Sequence, residues 1–413
     1  MYPLGSRLNE RGRLEVGGCD ALELAREFGT PAYVVSEDDI SARARAYMET
    51  LRGEHGERFD LLFASKAFPC TAVCRLLAGE GLGCDVASAG ELHLALRGGF
   101  APERIYLHGN AKSDGELAYA IEQGVGYIVL DALDEIERVE RAARAGGVRQ
   151  RVLIRVTPGV KPGTHDFIST GQLDSKFGFV MPDAKRAIAR VRESDALELT
   201  GLHMHIGSQI FDLESFRAAV AAIAELGDFA VYNLGGGLGA AYTGADTPPT
   251  IESYVEATVA AVHERLGDDK HLLLEPGRAL VANSTVTLYS VISVKRGLST
   301  YVAVDGGMSD NLRPMLYGSR YEAQVVNRFG GGDTCHVAGK HCESGDVIVR
   351  DVELNAPAPG DVLVTPATGA YGYAMANNYN GVPRPPVIFC KDGEARVVVR
   401  RETVEDLAAR DAV

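Results

Sequence analysis

The sequence predicts an α/β plus β protein, in which a closed (β/α)8, TIM-like barrel is followed by a C-terminal β domain of sandwich or barrel-like form. Between residues 61 and 275, short apolar runs alternate with longer amphipathic runs, as in a chain of βα repeats. After about residue 285 the pattern changes to strands separated by turns. An open doubly wound sheet is the alternative architecture for the first part.

Eight apolar runs are the candidate strands of the barrel. They are rich in β-branched and aliphatic residues without strict alternation, as expected of parallel strands covered on both faces. They are "LLFAS" (61–65), "CDVAS" (84–88), "IYLHG" (105–109), "YIVLD" (127–131), "VLIRV" (152–156), "LHMHI" (202–206), "AVYNL" (230–234) and "LLLEP" (272–276).

Eight amphipathic segments are the candidate helices, and several of them end at glycine, a common stop signal. They occupy residues 37–53, 71–80, 89–99, 115–124, 134–147, 183–193, 215–227 and 252–267. Eight strands and eight helices can close a barrel, so we predict a barrel domain over residues 31–284. The long connection at 157–182 is expected to be a functional lid or binding loop, with a surface insertion as the alternative.

The remaining residues, 285–413 with 1–30, are predicted to form the β domain. The Asp-Gly pair in "KDGE" (391–394) is a hairpin signal between its last two strands. The candidate strands lie in residues 285–296, 300–307, 346–354, 361–369, 386–390 and 395–399.

Composition limits the classes of function. A chain of 413 residues with 46% hydrophobic and 24% charged residues is long enough for two globular domains. The net charge of −14 disfavours nucleic acid and anionic membranes as partners. Since the first twenty residues carry no apolar run of signal-peptide length, we expect a cytoplasmic protein. Seven cysteines without CxxC spacing suggest neither a disulfide framework nor a zinc site, and no metal is predicted.

Polar and glycine residues follow most of the predicted strands, and in a barrel the active site lies at these carboxyl ends. They are Lys66, Asp85, Ser88, His108, Asn110, Arg155, His205, Ser208, Gly235, Gly236, Gly237 and Glu275.

Four of these features describe one kind of chemistry. Lys66 is at the mouth of a buried strand, where lost hydration would lower its pKa and favour a Schiff base; the alternative is a lysine extending to the surface. "NLGGGLG" (233–239) can approach a phosphate with backbone N–H groups, or it is a tight βα turn. It lacks the GxGxxG spacing of a Rossmann nucleotide site.

His205 can lie against the face of a planar cofactor, with Ser208 on its phosphate, whereas a zinc pair of His203 and His205 lacks a third ligand. Glu275 needs a cationic partner inside a barrel mouth. Arg278 or a protonated pyridine nitrogen would serve, and the latter leaves Arg278 for a substrate carboxylate. Together these residues indicate a pyridoxal phosphate site.

With these residues in view, the chain resembles the fold-type III pyridoxal-phosphate decarboxylases, whose barrel is alanine racemase-like. The resemblance runs from about residue 30 to the C-terminus. It is carried by "FASKAF", "CDVASAGEL", "HGNAKSD", "HMHIGSQI", "NLGGGLG", "EPGRALV", "VDGGMSDNLRPMLYGSRY", "CESGD", "GAYGYAMANNYN" and "RRETVEDLAARD". Ala111 in "HGNAKSD" departs from a second asparagine at that position.

The resemblance implies a role for each site residue and a head-to-tail homodimer with active sites between subunits. Lys66, His205 and Cys342 would be catalytic. Substrate would be bound by Arg278, Arg313, Tyr317, Glu343 and Tyr371. The cofactor would be bound by Lys66, Asp85, Ser88, His205, Ser208, Gly236, Gly237, Glu275, Pro276, Gly277, Arg278 and Tyr371.

Within the family, the chain is most similar to members that act on diaminopimelate. This implies decarboxylation of meso-2,6-diaminopimelate to L-lysine and CO2, the last step of lysine biosynthesis. In that mechanism the substrate amine replaces Lys66 on the cofactor, CO2 leaves from the D-configured centre, and Cys342 protonates the carbanion. Independently, Arg278, Arg313, Tyr317 and Glu343 suit a substrate with a distal carboxylate and ammonium.

Other activities remain as alternatives: a decarboxylase of ornithine, lysine, arginine or a carrier-linked amino acid, a racemase of the same fold, or a non-catalytic regulator. The "CESGD" and "NLRPMLY" segments argue against the first, and the presence of Lys66 and Cys342 argues against the last. Lys340 and His341, beside Cys342, have no assigned role and would tune the thiol or face solvent.

Overall fold

A computed structural model describes residues 1–160 and 175–412 of the chain. It contains two compact units. The barrel unit comprises Arg43–Gly239 and Thr247–Ala279, and the β unit comprises Met1–Ala42, Ala240–Asp246 and Leu280–Val413. The strand at residues 32–36, inside the predicted barrel limits of 31–284, belongs to the β unit. The predicted domain limits themselves stay a prediction.

The first 55 residues contain four strands and two helices. Helix α1 begins after Asp20, whose carboxylate accepts hydrogen bonds from the N–H groups of Leu22 and Glu23 and so caps the helix. In chain order the elements are β1 (Arg7–Leu8), β2 (Leu14–Val16), β3 (Cys19–Asp20), α1 (Ala21–Phe28), β4 (Ala32–Ser36) and α2 (Glu37–His55).

Eight parallel strands close the barrel in the order β10-β11-β12-β5-β6-β7-β8-β9. The predicted barrel is therefore confirmed, and the doubly wound alternative is wrong. The strands are β5 (Phe59–Ala64), β6 (Gly83–Val86), β7 (Ile105–Leu107), β8 (Tyr127–Leu130), β9 (Gln150–Val156), β10 (Leu197–Met204), β11 (Val231–Asn233) and β12 (His271–Leu274).

Each of the eight predicted amphipathic segments is a helix, α2 being the first. Capping side chains fix several starts. Ser113, for example, accepts from the N–H of Glu116 while Glu116 accepts from the N–H of Ser113, a capping box. The other seven are α3 (Thr71–Gly79), α4 (Ala89–Gly98), α5 (Asp114–Glu122), α6 (Leu133–Ala145), α7 (Met181–Arg192), α8 (Glu214–Ala224) and α9 (Ile251–Arg265).

An apolar layer fills the barrel interior. Its members come from six different strands and are almost entirely buried, and burial of each large side chain contributes about 1.5–3 kcal/mol. They are Leu62, Tyr106, Val129, Leu153, Val231 and Leu273. Residues i and i+2 of a strand point to the same face. The side chains two residues further along each strand therefore also point into the barrel and pack on this apolar layer.

The β unit contains a mixed sheet of nine strands within the described residues, in which β4 pairs with β13 and β19. The predicted C-terminal β domain is confirmed. Helix α10 (Arg278–Val281) begins in the barrel unit and ends in the β unit. The elements that follow it are β13 (Thr285–Arg296), β14 (Thr300–Val304), α11 (Arg313–Tyr317), β15 (Gln324–Val325), β16 (Asp333–Ala338), β17 (Val347–Leu354), β18 (Val362–Thr365), α12 (Gly372–Met375), β19 (Val387–Lys391), β20 (Glu394–Val399) and α13 (Val404–Ala408).

The predicted hairpin at "KDGE" is confirmed. Lys391 pairs with Glu394, and Asp392 and Gly393 have φ values of 52° and 80°, as a type I′ turn requires. The connection at 157–182 is only partly covered, because residues 161–174 lie outside the described residues. No helix of the described chain combines the length and apolar character needed to cross a membrane.

Candidate active site

Lys66 and Asp85 form an ion pair at the carboxyl ends of β5 and β6. Lys66 is in a short 3₁₀ turn directly after β5, and its Nζ lies 3.4 Å from Oδ2 of the buried Asp85. The lysine side chain is 46% exposed, so the sequence-based expectation of a desolvated amine is wrong. The amine is therefore paired with a buried carboxylate while its side chain stays partly exposed.

Glu275 follows β12, is buried, and is held by three side chains. Oε1 accepts from Asn233 Nδ2 at 2.6 Å and lies 2.9 Å from His108 Nε2. Oε2 lies 3.2 Å from His203 Nε2. Burial opposes a charge on Glu275, but the two histidines outweigh it and hold the carboxyl pKa well below its ordinary value. Glu275 is therefore an anion deep in the barrel mouth.

Strand register brings these side chains together. His203 on β10 pairs with Asn233 on β11 and with Arg155 on β9. A polar layer thus lies directly above the apolar one. The members of the polar layer are His108, Asp131, Arg155, His203, Asn233 and Glu275. Five of them come two residues after a member of the apolar layer, and His203 comes two residues after Gly201.

Sequence reasoning did not assign His108, His203 and Asn233 as the groups that hold Glu275. It offered Arg278 or a protonated pyridine nitrogen as the partner of Glu275, and Arg278 donates to Ser208 Oγ through Nε at 3.1 Å and Nη2 at 3.0 Å. Their position two residues after predicted core residues was a signal that these side chains point into the barrel. It does not show which of them are neighbours until the strand register is known.

The two inward histidines of β10 and its loop are neutral. Burial lowers the pKa of His203 to about 4. Burial, followed by the nearby cations Lys66 and Arg155, lowers the pKa of His205 well below its ordinary value. The N–H of Gly236 donates to His205 Nδ1 at 3.3 Å, so the ring proton is on Nε2. His205 presents an uncharged ring.

The glycine loop after β11 needs its glycines for close packing. A Cβ on Gly235, which has φ +67°, would lie 2.6 Å from Met204 O, and one on Gly236 would lie 2.3 Å from Glu275 O. Gly237 has φ +135°, and a Cβ there would lie 2.9 Å from Gly207 O. The loop is therefore pressed against the ends of β10 and β12.

The turn after Glu275 is attached to the segment that carries Lys66. Pro276 O accepts from Ala64 N at 3.2 Å, and a Cβ on Gly277 would lie 3.0 Å from Ala64 Cβ. Ser88, predicted to bind the cofactor, caps α4 by accepting from the N–H of Glu91.

The other predicted site residues lie in the β unit. Arg313 is buried, its guanidinium lies 4.7 Å from the ring centroid of Tyr242, and Nη1 donates to Tyr321 Oη at 2.6 Å. Burial opposes its charge, but the tyrosines raise its pKa above the ordinary value. Tyr317 ends α11 and is half-buried. Tyr371 has φ +64°, a left-handed conformation that is uncommon for a large side chain.

Cys342 and Glu343 are exposed neighbours on one loop. The N–H of Cys342 donates to Asn380 Oδ1 at 2.8 Å. The chain's six other cysteines are buried, so Cys342 alone among them can reach a ligand from outside.

The residues of the barrel mouth fit pyridoxal phosphate, a pyridine aldehyde with a phosphate arm. They offer an amine, an anionic carboxylate, a neutral ring, and hydroxyl and N–H donors beside a glycine loop. The barrel mouth also contains a group of residues that can bind a metal ion, since ligand atoms of His108, His203 and Glu275 all lie within 4.8 Å of one another. The absence of a metal from the function stays a prediction.

A closed (β/α)8 barrel with a lysine, a buried carboxylate and a neutral histidine at its carboxyl face defines the barrel-type pyridoxal phosphate enzymes. The chain belongs to the pyridoxal-dependent decarboxylases: the profile described as "Pyridoxal-dependent decarboxylase, pyridoxal binding domain" matches residues 37–282. Membership confirms the predicted cofactor and the predicted class of carboxy-lyase.

Relatives that are 41–47% identical to the chain are named diaminopimelate decarboxylase. The chain is 46% identical to the diaminopimelate decarboxylase of Bacillus subtilis (strain 168), over 98% of this chain and 97% of the relative. It is 47% identical to that of Actinosynnema pretiosum subsp. auranticum, over 100% and 95%. The solved structure of the M. jannaschii diaminopimelate decarboxylase in complex with L-lysine is 34% identical, with a TM-score of 0.93 over 100% of this chain and 99% of that chain.

Proposed function

We propose that this protein decarboxylates meso-2,6-diaminopimelate to L-lysine and CO2, the last step of lysine biosynthesis. The observation that carries the proposal is Glu275, a buried carboxylate kept anionic in the same barrel mouth as Lys66. The substrate assignment is supported by the relatives, which are named diaminopimelate decarboxylases at 46% and 47% identity.

Barrel residues hold and tune the cofactor. When bound, pyridoxal phosphate supplies an acceptor for the electron pair that remains as CO2 leaves. Lys66 would hold its aldehyde carbon, with the lysine amine paired to Asp85. Glu275 would favour a proton on the ring nitrogen, because a buried anion stabilises that positive charge. His205, uncharged, would lie against the ring without repelling a protonated ring.

The phosphate is assigned to the glycine loop and its neighbours. Ser208, Gly236 and Gly237 supply hydroxyl and N–H donors, with Ser88, Pro276, Gly277 and Tyr371 as predicted flanking contacts. Arg278 donates to Ser208 through Nε and Nη2, and its guanidinium is assigned to a substrate carboxylate.

The substrate's far end is assigned to the β unit. Arg313 and Tyr317 bind the distal carboxylate, and Glu343 binds the distal ammonium. Tyr321 and Tyr242 hold the Arg313 guanidinium in place, so less rotamer entropy is lost when the carboxylate binds. Cys342 donates the proton to the carbon from which CO2 has departed.

We infer further that the protein works as a homodimer, with the β unit of one copy completing the active site of the other. The residue set supports this arrangement, since Lys66 and Glu275 belong to the barrel unit while Cys342 and Arg313 belong to the β unit. The cytoplasmic location stays a prediction from the sequence.

Replacing Lys66 tests the activity. Lys66→Ala should abolish CO2 release from meso-diaminopimelate, because Lys66 supplies the one amine that pairs with Asp85 within residues 1–160 and 175–412. After borohydride reduction of wild type loaded with pyridoxal phosphate, mass spectrometry should find the cofactor on the Lys66 peptide. Lys185→Ala removes an exposed lysine of α7 and should leave both readouts unchanged.

An active, cofactor-carrying Lys66→Ala protein would refute the site assignment. The substrate is tested separately by measuring CO2 release from meso-diaminopimelate, L- and D-lysine, L- and D-ornithine and L-arginine. A higher kcat/KM for any of the other amino acids would refute the substrate assignment while leaving the decarboxylase class intact.

A further inference from the structure

Asp346 is a buried carboxylate that the proposed chemistry does not use. Its Oδ1 accepts from the N–H of Met308 at 2.8 Å. Its Oδ2 accepts from the N–H of His341 at 3.0 Å and from His341 Nδ1 at 2.7 Å. Only 1% of its side chain is exposed. A carboxylate that accepts three hydrogen bonds out of water makes strong, charge-assisted contacts.

These contacts connect two loops of the β unit. The first, residues 340–346, carries Cys342 and Glu343 and is called the cysteine loop. The second, residues 306–311, leads into α11, which begins at Arg313, and is called the 306–311 loop. Besides the bonds to Asp346, the N–H of Lys340 donates to Gly306 O at 3.0 Å.

The carboxylate occupies a slot that only glycine permits. A Cβ on Gly307 would lie 2.5 Å from Asp346 Oδ2, and one on Gly339 would lie 2.0 Å from the same atom. Gly307 also has φ +148°. The 306–311 loop and Gly339, the residue before the cysteine loop, therefore approach the Asp346 carboxylate more closely than residues with a Cβ could.

A third segment braces the same two loops. Asn377 donates through its N–H to Ser309 O at 2.9 Å and through Nδ2 to Met308 O at 3.2 Å. Asn380 accepts from the N–H of Cys342 at 2.8 Å. The backbone that leads into the thiol is therefore held at two successive N–H groups, by Asp346 at His341 and by Asn380 at Cys342.

His341 supplies the side-chain part of this arrangement. Its side chain is fully buried, and its ring stacks on Tyr379 at a centroid distance of 5.9 Å and an angle of 11°. Because a carboxylate can only accept, Nδ1 carries the proton. His341, which the sequence left without a role, is the second attachment of the cysteine loop to Asp346.

We propose that Asp346 is a positioning residue that fixes Cys342 and Glu343 relative to the segment leading into Arg313. The proposal rests on the proposed function, in which Cys342 gives a proton while Glu343 and Arg313 hold the far end of the substrate. One buried carboxylate thereby sets the spacing between the proton donor and the groups that grip the substrate.

The connection itself is tested without any activity measurement. Asp346→Asn keeps the shape of the side chain but places an amide N–H₂ against groups that donate. Hydrogen exchange measured by mass spectrometry should become faster by about 10-fold or more in peptides covering both loops. Asp351→Asn, at an exposed residue of β17 with φ +53°, should change neither peptide. Unchanged exchange in the 306–311 loop would overturn the proposal.

The functional role is tested by a double-mutant cycle in the protein loaded with pyridoxal phosphate. Cys342→Ala should lower kcat by about 10²–10⁴-fold. Asp346→Asn should lower kcat about 10-fold or more in wild type, with cofactor affinity unchanged, but less than about 3-fold in the Cys342→Ala background. Equal losses in both backgrounds would show that Asp346 does not act through Cys342, and would overturn the proposal.

The two proposals fail in different ways. Unchanged turnover in Cys342→Ala would refute the proton-donor assignment, whereas the exchange experiment would still report whether Asp346 joins the loops. If Asp346→Asn does not fold, His341→Phe replaces it, since phenylalanine preserves stacking on Tyr379 and removes one donor. Faster exchange in the cysteine loop is then expected, and exchange equal to wild type would overturn the proposal.

Discussion

At the scale of single residues, burial selects which groups of the barrel mouth carry charge. Burial lowers the pKa of His203 to about 4 and that of His205 well below its ordinary value. Glu275 is equally deep yet stays anionic, because donors surround it. The site thus combines neutral histidine rings with the buried Glu275 anion, the arrangement that favours a protonated pyridine ring.

His203 should make the stability of the barrel depend on pH. Its folded-state pKa of about 4 is below the roughly 6.5 of an unfolded histidine, so the unfolded chain binds the proton first. The free energy of unfolding should fall by roughly 3 kcal/mol as pH falls from 6.5 to 4. Glu275, with its depressed pKa, acts in the same direction. Urea unfolding across this range measures the slope.

The control for this prediction is another histidine. His203→Gln should make the slope of unfolding free energy against pH shallower, whereas His93→Gln, at an exposed position of α4, should leave it as in wild type. A His203→Gln variant with the wild-type slope would contradict the assignment of the titrating group.

Sequence reasoning identified those site residues that can be recognised individually, from their side-chain type and from their position after a predicted strand. Lys66, Asp85, His205 and Glu275 follow predicted strands, and a barrel places those ends together. The exposure of Lys66 is the alternative that the sequence left open. Two features could not be foreseen: the histidine and asparagine partners of Glu275, and the pairing of Arg278 with Ser208. Each depends on inter-strand register or on loop geometry, which residue spacing does not determine.

At the scale of elements, the barrel was predictable because each βα repeat has a clear apolar period. The strands of the β unit were harder to predict from the sequence. Strands β1, β3 and β15 have two residues each, too few to show any alternation. The strand β16 is longer, but half of its residues are polar, "DTCHVA", so it lacked a continuous apolar run.

Gly236 should be intolerant of even one methyl group. A Cβ there would lie 2.3 Å from Glu275 O, a backbone atom that cannot rotate away. Gly236→Ala should lower the free energy of unfolding by about 1–3 kcal/mol and weaken pyridoxal phosphate binding, because the displaced strand end carries Glu275. Urea unfolding and cofactor titration measure the two effects.

Gly53 provides the matched comparison. It lies in α2 with nothing within 4 Å of an added Cβ, so Gly53→Ala should raise the free energy of unfolding by about 1 kcal/mol without changing cofactor affinity. Equal effects of the two substitutions would contradict the packing argument for the glycine loop.

At the scale of the whole molecule, the proposed chemistry draws on two compact units of the chain. The barrel unit supplies Lys66 and Glu275, and the β unit supplies Arg313, Cys342 and Glu343. A chain that divides its functional groups in this way can complete a site with a second copy, as the proposed dimer requires.

Mixing two inactive variants tests the shared site. Lys66→Ala and Cys342→Ala damage different units, so a mixed dimer would contain one site with both defects and one with neither. After co-refolding or co-expression in equal amounts, about a quarter of all sites should be intact, and CO2 release should return to about that fraction. If the mixture stays as inactive as its parents, Lys66 and Cys342 of one site come from the same chain.

The cysteines differ in how accessible their thiols are to reagents in solution. Burial raises the pKa of the sheltered thiols, Cys84 among them, whereas Cys342 is exposed. A thiol-directed electrophile therefore meets one accessible cysteine in the folded chain. The same loop that is proposed to finish the reaction is therefore also where a covalent inhibitor would attach.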